Sequence, residues 1–210
     1  MELLGLFVTA FLAGFSGAAA PGPLLAVTVG ESARRGFGAG LLLSLGHALL
    51  ELALVAALAM GLAGFFTGGV LKWTGALGGA VLIWMGWNMA GEARAGKITL
   101  ELSGRDIKGG KLHPVLAGAL VSVSNPYWTL WWATVGLGYM TYSLQWGKAG
   151  LALFFTGHIM ADFTWYGLVA AACAGGRKVC SDSVYRALMV ICGVFLVLLG
   201  GYFIFWAAGV

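Results

Sequence analysis

Apolar residues run along the chain in six long stretches, at about 4–31, 37–65, 70–90, 112–140, 147–174 and 184–208, separated by short polar turns. A hydrocarbon core about 30 Å thick takes roughly 20 residues of helix, and each stretch is long enough to span it. The pattern predicts an all-α membrane protein of six transmembrane helices forming a single transmembrane domain over 1–210. The one polar segment of any size, about 91–111 (GEARAGKITLELSGRDIKGGK), reads as a solvated cytoplasmic linker; the alternation in its TLEL is too short to change that.

Polar residues inside the apolar stretches are few, and they recur. The second predicted helix carries GHALLE, with His47 and Glu51 four positions apart; the fifth carries GHIMAD, with His158 and Asp162 at the same spacing. Both members of the second pair follow the first by 111 positions (158 − 47 and 162 − 51). Positions i and i+4 share one helix face, so each histidine points with its acid; Ser44 continues the first face, Trp165 and Tyr166 the second.

Proline interrupts the first and fourth predicted helices at matching places. AAAPGPLL holds Pro21, Gly22 and Pro23, and SVSNPYW holds Asn125, Pro126 and Tyr127. The third and sixth match more weakly, through WMGWNMAG and LLGGYFIFWAAG. Three helices per copy send the second copy through the membrane in the opposite sense. The prediction is therefore a 3+3 inverted repeat, with repeat 1 over about 1–90 and repeat 2 over about 112–210. A proline removes a backbone donor and frees a carbonyl upstream, which is costly in lipid and tolerated where the break lines a cavity. Prolines also kink membrane helices for packing alone. Two prolines around a glycine, with a counterpart in the other half, favour discontinuous helices lining a substrate pathway.

Composition narrows the class further. With 60% apolar residues, 10% charged and 35 glycines, the chain is not an ordinary soluble domain. Arg34, Arg35, Arg94, Lys97, Arg105, Lys108, Lys111, Arg177, Lys178 and Arg186 fall in alternate connections, against Lys72 and Lys148 on the other side. Basic loops stay cytoplasmic, so both termini are expected outside a cell (inner) membrane crossed several times. Trp73, Tyr139, Tyr142, Trp146, Tyr202 and Trp206 then fall towards the outer interface, where amphipathic rings belong. The net charge of +4 follows from this topology and from anionic lipid, and nucleic acid is not an expected partner. Met1-Glu2 gives an acidic flank, so the first stretch is expected to stay as a helix and not to be removed as a leader. Cys173, Cys180 and Cys192 form no Cys-x-x-Cys and read as apolar fillers.

APGPLL in the first helix, the basic-glycine turn ARRGFGAGLLLSLG, a charged loop and KLHPVLAGALVSVSNP opening the fourth helix together resemble the LysE/RhtB (LysE-type translocator) family of small exporters. The resemblance covers nearly the whole chain. It implies a secondary transporter exporting small solutes, amino acids or derivatives, with Pro21, Gly22, Pro23, Asn125, Pro126 and Tyr127 beside the pathway. Where many members carry lysine after the NP, this chain has Tyr127, followed by Trp128, Trp131 and Trp132, which suit either stacking of a solute or an apolar stripe.

Ionised groups at membrane depth cost several kcal/mol, so His47, Glu51, His158 and Asp162 are expected to face the bundle interior. Three readings stay open for them. They form two local hydrogen bonds that hold helices; they relay protons coupled to export; or they bind a divalent metal, which two imidazoles and two carboxylates suit. Asn88 is expected to hydrogen-bond a neighbour, His113 to sit at an interface, and the glycines at 36, 38, 40, 75 and 79 to allow close packing. No clustered nucleophile and acid marks an enzyme, and no cofactor is expected. The expected partners are the lipid bilayer, a small-molecule substrate and protons, with room for a homo-oligomer.

Overall fold

A computed structural model describes residues 2–61, 68–98, 112–174 and 181–208, and these are helical apart from short turns. The helices are α1 (Glu2–Ala18), α2 (Pro23–Arg35), α3 (Phe37–Ala59), α4 (Gly68–Arg94), α5 (Pro114–Val123), α6 (Pro126–Trp131), α7 (Leu137–Ser143), α8 (Gly147–Cys173) and α9 (Asp182–Ala208). A π-helical turn, Trp132–Gly136, joins α6 to α7, and a 3-10 turn, Leu144–Trp146, leads into α8. Phe37–Ala59 and Asp182–Phe205 are each long and apolar enough to cross a membrane, and α1 with α2, bent by 78° at their junction, make a third span if taken together.

The backbone changes direction where the sequence withholds donors. Pro21 and Pro23 have no N–H to continue α1, and the last turn closes through Ala20 N to the Gly17 carbonyl at 3.2 Å. Gly22 stands extended before α2 (φ −162°), whose first residue is Pro23, a position where the missing N–H costs nothing. The second break is built likewise. Asn125 is extended (φ −92°, ψ 109°), as a residue before proline prefers, and its Oδ1 accepts from Tyr127 N–H at 3.1 Å to cap α6.

Helix limits differ modestly from the expected ones. The first extends to Arg35, whose turn ends at Gly36 with a positive φ of 85°. The third runs on to Arg94, so residues 91–94 of the expected linker are helical, while 99–111 lie outside the described residues. The second stops at Ala59, and its expected last residues, 62–65, also lie outside them.

Packing pairs the helices reciprocally. α4 lies along α9, α1 along α8, and α3 along α5 and α8. Glycines make these approaches close. A Cβ on Gly46 would collide with the Val115 carbonyl oxygen, and one on Gly157 would lie 2.7 Å from that of Phe7. These are the glycines immediately before the two histidines, so each GH dipeptide seats its histidine by pressing backbone against backbone. Gly86 and Gly193, and Gly79 and Gly200, do the same for α4 and α9, each facing the other's carbonyl.

Candidate functional site

A stripe of buried residues four positions apart on each of two packed helices builds the site. On α3 the buried positions Leu43, His47, Glu51 and Val55 recur every fourth residue; on α8 Phe154, His158, Asp162, Tyr166 and Ala170 do the same. Where the stripes meet, the four titratable side chains form an alternating ring. His47 Nε2 is 3.2 Å from Glu51 Oε1 and 3.7 Å from Asp162 Oδ2. His158 Nε2 is 3.0 Å from Glu51 Oε2 and 3.6 Å from Asp162 Oδ2. All four residues are buried, with Glu51 only 1% exposed.

Neighbours fix the ring's hydrogen bonding. The Ser122 hydroxyl donates to the Gly118 carbonyl at 2.7 Å, so it accepts from His47 Nδ1–H, also at 2.7 Å. His47 therefore carries a hydrogen on Nδ1 and turns Nε2 to the two carboxylates. Glu51 Oε1 accepts from the indoles of Trp128 at 2.9 Å and Trp132 at 2.8 Å. His158 is held by rings: Trp131 stacks on it at 4.6 Å, Phe154 at 6.2 Å, and Trp132 meets it edge-on at 5.3 Å. Its Nδ1 and Asp162 Oδ2 are buried without a hydrogen-bond partner. A buried acceptor left in this way costs of order 1–3 kcal/mol, so Asp162 is the member of the ring whose interactions are least complete.

Beside the ring lies a cavity of about 50 Å³ whose walls include Gly22, Asn125, Tyr127, Trp131 and Tyr166 along with the four titratable groups. A water needs roughly 10–15 Å³ on this measure, so the space holds a few waters and no large solute. The two helix breaks adjoin there, for a Cβ on Gly22 would be 3.8 Å from Asn125 Nδ2. Of the six expected pathway residues, Gly22, Asn125 and Tyr127 line the cavity. Pro21, Pro23 and Pro126 do not line it; the Pro126 Cβ lies 3.3 Å from the place a Cβ on Gly78 of α4 would take.

The sequence reading did not single out Ser122, although a serine within an apolar stretch is a signal. It also left Trp128 and Trp132 between stacking and structural roles; their spacing of four placed them on one face, but nothing local pointed that face at Glu51. Asn88 is exposed on α4 and does not line the cavity, and His113 caps α5 by accepting from Val115 N–H at 3.4 Å. Cys173 and Cys192 are buried, as apolar fillers would be.

The model of the LysE type translocators matches residues 15–206. The chain belongs to the LysE type translocator family. No curated protein and no solved structure gives a significant match. Membership makes this LysE-type protein a multi-pass membrane protein and a translocator of small solutes out of the cell, not an enzyme. The matched span includes both helix breaks and all four members of the ring.

Proposed function

We propose that this LysE-type protein is a proton-coupled secondary exporter of amino acids or their derivatives, with the ring of His47, Glu51, His158 and Asp162 as its proton-carrying centre. It sits in the cell (inner) membrane as one domain of six spans, in a 3+3 inverted repeat with both termini outside. The reciprocal packing supports the repeat. Exchanging the first three spans for the last three turns the α1–α8 contact into the α5–α3 contact and leaves α4–α9 and α3–α8 unchanged.

One observation carries the functional reading: titratable side chains from corresponding positions of the two halves meet at one buried point, in a cavity walled by both helix breaks. With both carboxylates ionised and both imidazoles protonated the ring is neutral, and it is neutral again when one proton moves from an imidazole to a carboxylate. Adding or removing a proton charges it. A charged ring at membrane depth is expensive, so proton uptake and a change of exposure are tied together. Gly22, Asn125 and Tyr127 place the solute against this ring.

Aromatic packing supports the direction of the closed side. Tyr139 borders a groove of about 930 Å³ beside the start of α1, stacks on Phe154 at 6.2 Å, and Phe154 in turn stacks on His158. The stack, with Trp131 and Trp132, plugs the outward route. Opening it requires α6 and α7 to move, and the π-helical turn between them is a place where a helix changes register locally. The donor set is also that of a borderline divalent cation, favoured by the mutual approach of His47, Glu51 and Asp162 ligand atoms within 4.8 Å.

An efflux screen tests the function: cells overproducing the protein, loaded with amino acids, should release a subset faster than cells carrying Asp162→Asn. Release at the same rate from both, for every solute, would remove the proposal.

A further inference from the structure

The geometry points to a first-row divalent cation site made by His47 Nε2, a Glu51 carboxylate oxygen and Asp162 Oδ2, with a fourth position open to the cavity. This deepens the proposed function by naming a second ligand of the same centre, and it rests on that reading only for where the ion would go.

Three features of the ring carry it. First, the spacing fits. Zinc-like ions hold nitrogen and oxygen ligands at about 2.0–2.2 Å in a tetrahedron, which sets its edges at roughly 3.3–3.6 Å. The His47 Nε2 distances to Glu51 Oε1 and Asp162 Oδ2 are 3.2 and 3.7 Å, and the ligand atoms of these three residues all lie within 4.8 Å of one another. An ion drawing in the three ligands moves each by only tenths of an ångström to about an ångström.

Second, the outer contacts are those that metal-bound histidines have. His47 donates Nδ1–H to Ser122, which is anchored on the Gly118 carbonyl. That arrangement fixes the ring and frees the Nε2 lone pair for a ligand, the role an outer partner plays around zinc. In the state in which Nε2 carries no proton, its lone pair faces a Glu51 oxygen at 3.2 Å and Asp162 Oδ2 at 3.7 Å. A cation between them resolves the arrangement.

Third, Asp162 Oδ2 is buried, on a residue only 3% exposed, without any hydrogen-bond partner. It is the incomplete acceptor of the ring, and it lies 3.7 Å from His47 Nε2. His158 is excluded from the ligand set by its own bonding. Its Nε2 lies 3.0 Å from Glu51 Oε2, so it supplies a hydrogen there and positions the carboxylate. Three protein ligands with one open position describe an exchangeable site, whereas structural zinc sites close with four. Imidazole with carboxylate selects zinc, cobalt, nickel or manganese over magnesium and calcium, which prefer all-oxygen shells.

The test uses the purified full chain in detergent, titrated with Co²⁺ and read by its visible absorption, with Zn²⁺ stoichiometry from elemental analysis after dialysis. Wild type and His113→Ala should each bind one ion per chain, and Mg²⁺ should not displace it. His47→Ala and Asp162→Asn should each weaken Co²⁺ binding by at least about ten-fold, the loss typical even of outer-contact removal. Circular dichroism on the same samples shows that the isosteric Asp162→Asn is folded. No saturable Co²⁺ binding by folded wild type, or binding undiminished in both variants, would overturn the site. Proton-dependent efflux is read separately, from the same protein reconstituted in proteoliposomes, so a missing metal site and a missing proton coupling give different results.

Discussion

His158 of α8 stands closer to Glu51 of α3, at 3.0 Å, than to Asp162 one turn along its own helix, at 3.6 Å. Glu51 is thus the hub of the ring, reached by both imidazoles and by two indoles, while Asp162 is held only at longer range. The two acids should therefore respond differently to neutralisation. Glu51→Gln places an amide NH₂ among donors and breaks a buried pair, a change that costs about 3–5 kcal/mol. Asp162→Asn leaves the Glu51 bonds in place and weakens only the longer contacts of Oδ2 to the two imidazoles. Thermal unfolding in detergent should show Glu51→Gln melting well below Asp162→Asn, and equal melting temperatures would mean that Glu51 is not the hub.

Trp132 and Trp128 both donate to Glu51 Oε1, yet Trp132 is 2% exposed and Trp128 is partly exposed. Hydrogen bonds to a charged acceptor contribute roughly 1.5–3 kcal/mol, more fully where water cannot substitute. Trp132→Phe is expected to lower stability more than Trp128→Phe. Intrinsic fluorescence melts of the two variants check the order.

Close packing at the GH dipeptides gives a steric prediction. Gly46→Ala would drive a methyl into the Val115 carbonyl, and the backbone of α5 must retreat to admit it. Overpacking typically costs about 1–3 kcal/mol and more against backbone. Gly38→Ala, with nothing within 4 Å, should be neutral or slightly stabilising. A yield of folded monodisperse protein that is unchanged for Gly46→Ala would contradict the α3–α5 contact.

The proposed orientation is also measurable. With Arg34 and Arg35 closing α2 on the cytoplasmic side and Lys148 opening α8 outside, single cysteines replacing Arg35 and Lys148 should label from opposite faces of intact cells. An impermeant maleimide should reach position 148 and spare position 35. Labelling of 35 alone would invert the topology.

Much of the site was written in local spacing. Period-four pairs place each histidine with its acid on one face, and the 111-residue offset marks the two faces as counterparts. Pro23 and Pro126 stand at the first positions of α2 and α6, because a lost donor acts on its own turn of backbone. What stayed hidden depends on helix crossing. Ser122 is 75 positions from His47, and Trp128 is 77 from Glu51; nothing in either segment states the angle at which α5 and α6 meet α3. The π-helical turn at Trp132–Gly136 was equally hidden, since WATVG contains no residue that forbids an α-helix. Gly46 and Gly157 were the overlooked clue, as their backbone contacts set how close the two histidines come.

Proton coupling through the ring is tested most directly in proteoliposomes loaded with labelled amino acids. An inward proton gradient should accelerate solute efflux through the wild-type protein, and Glu51→Gln and Asp162→Asn should abolish that gradient dependence while the protein remains folded. Efflux that follows the gradient equally in wild type and in both variants would contradict the account.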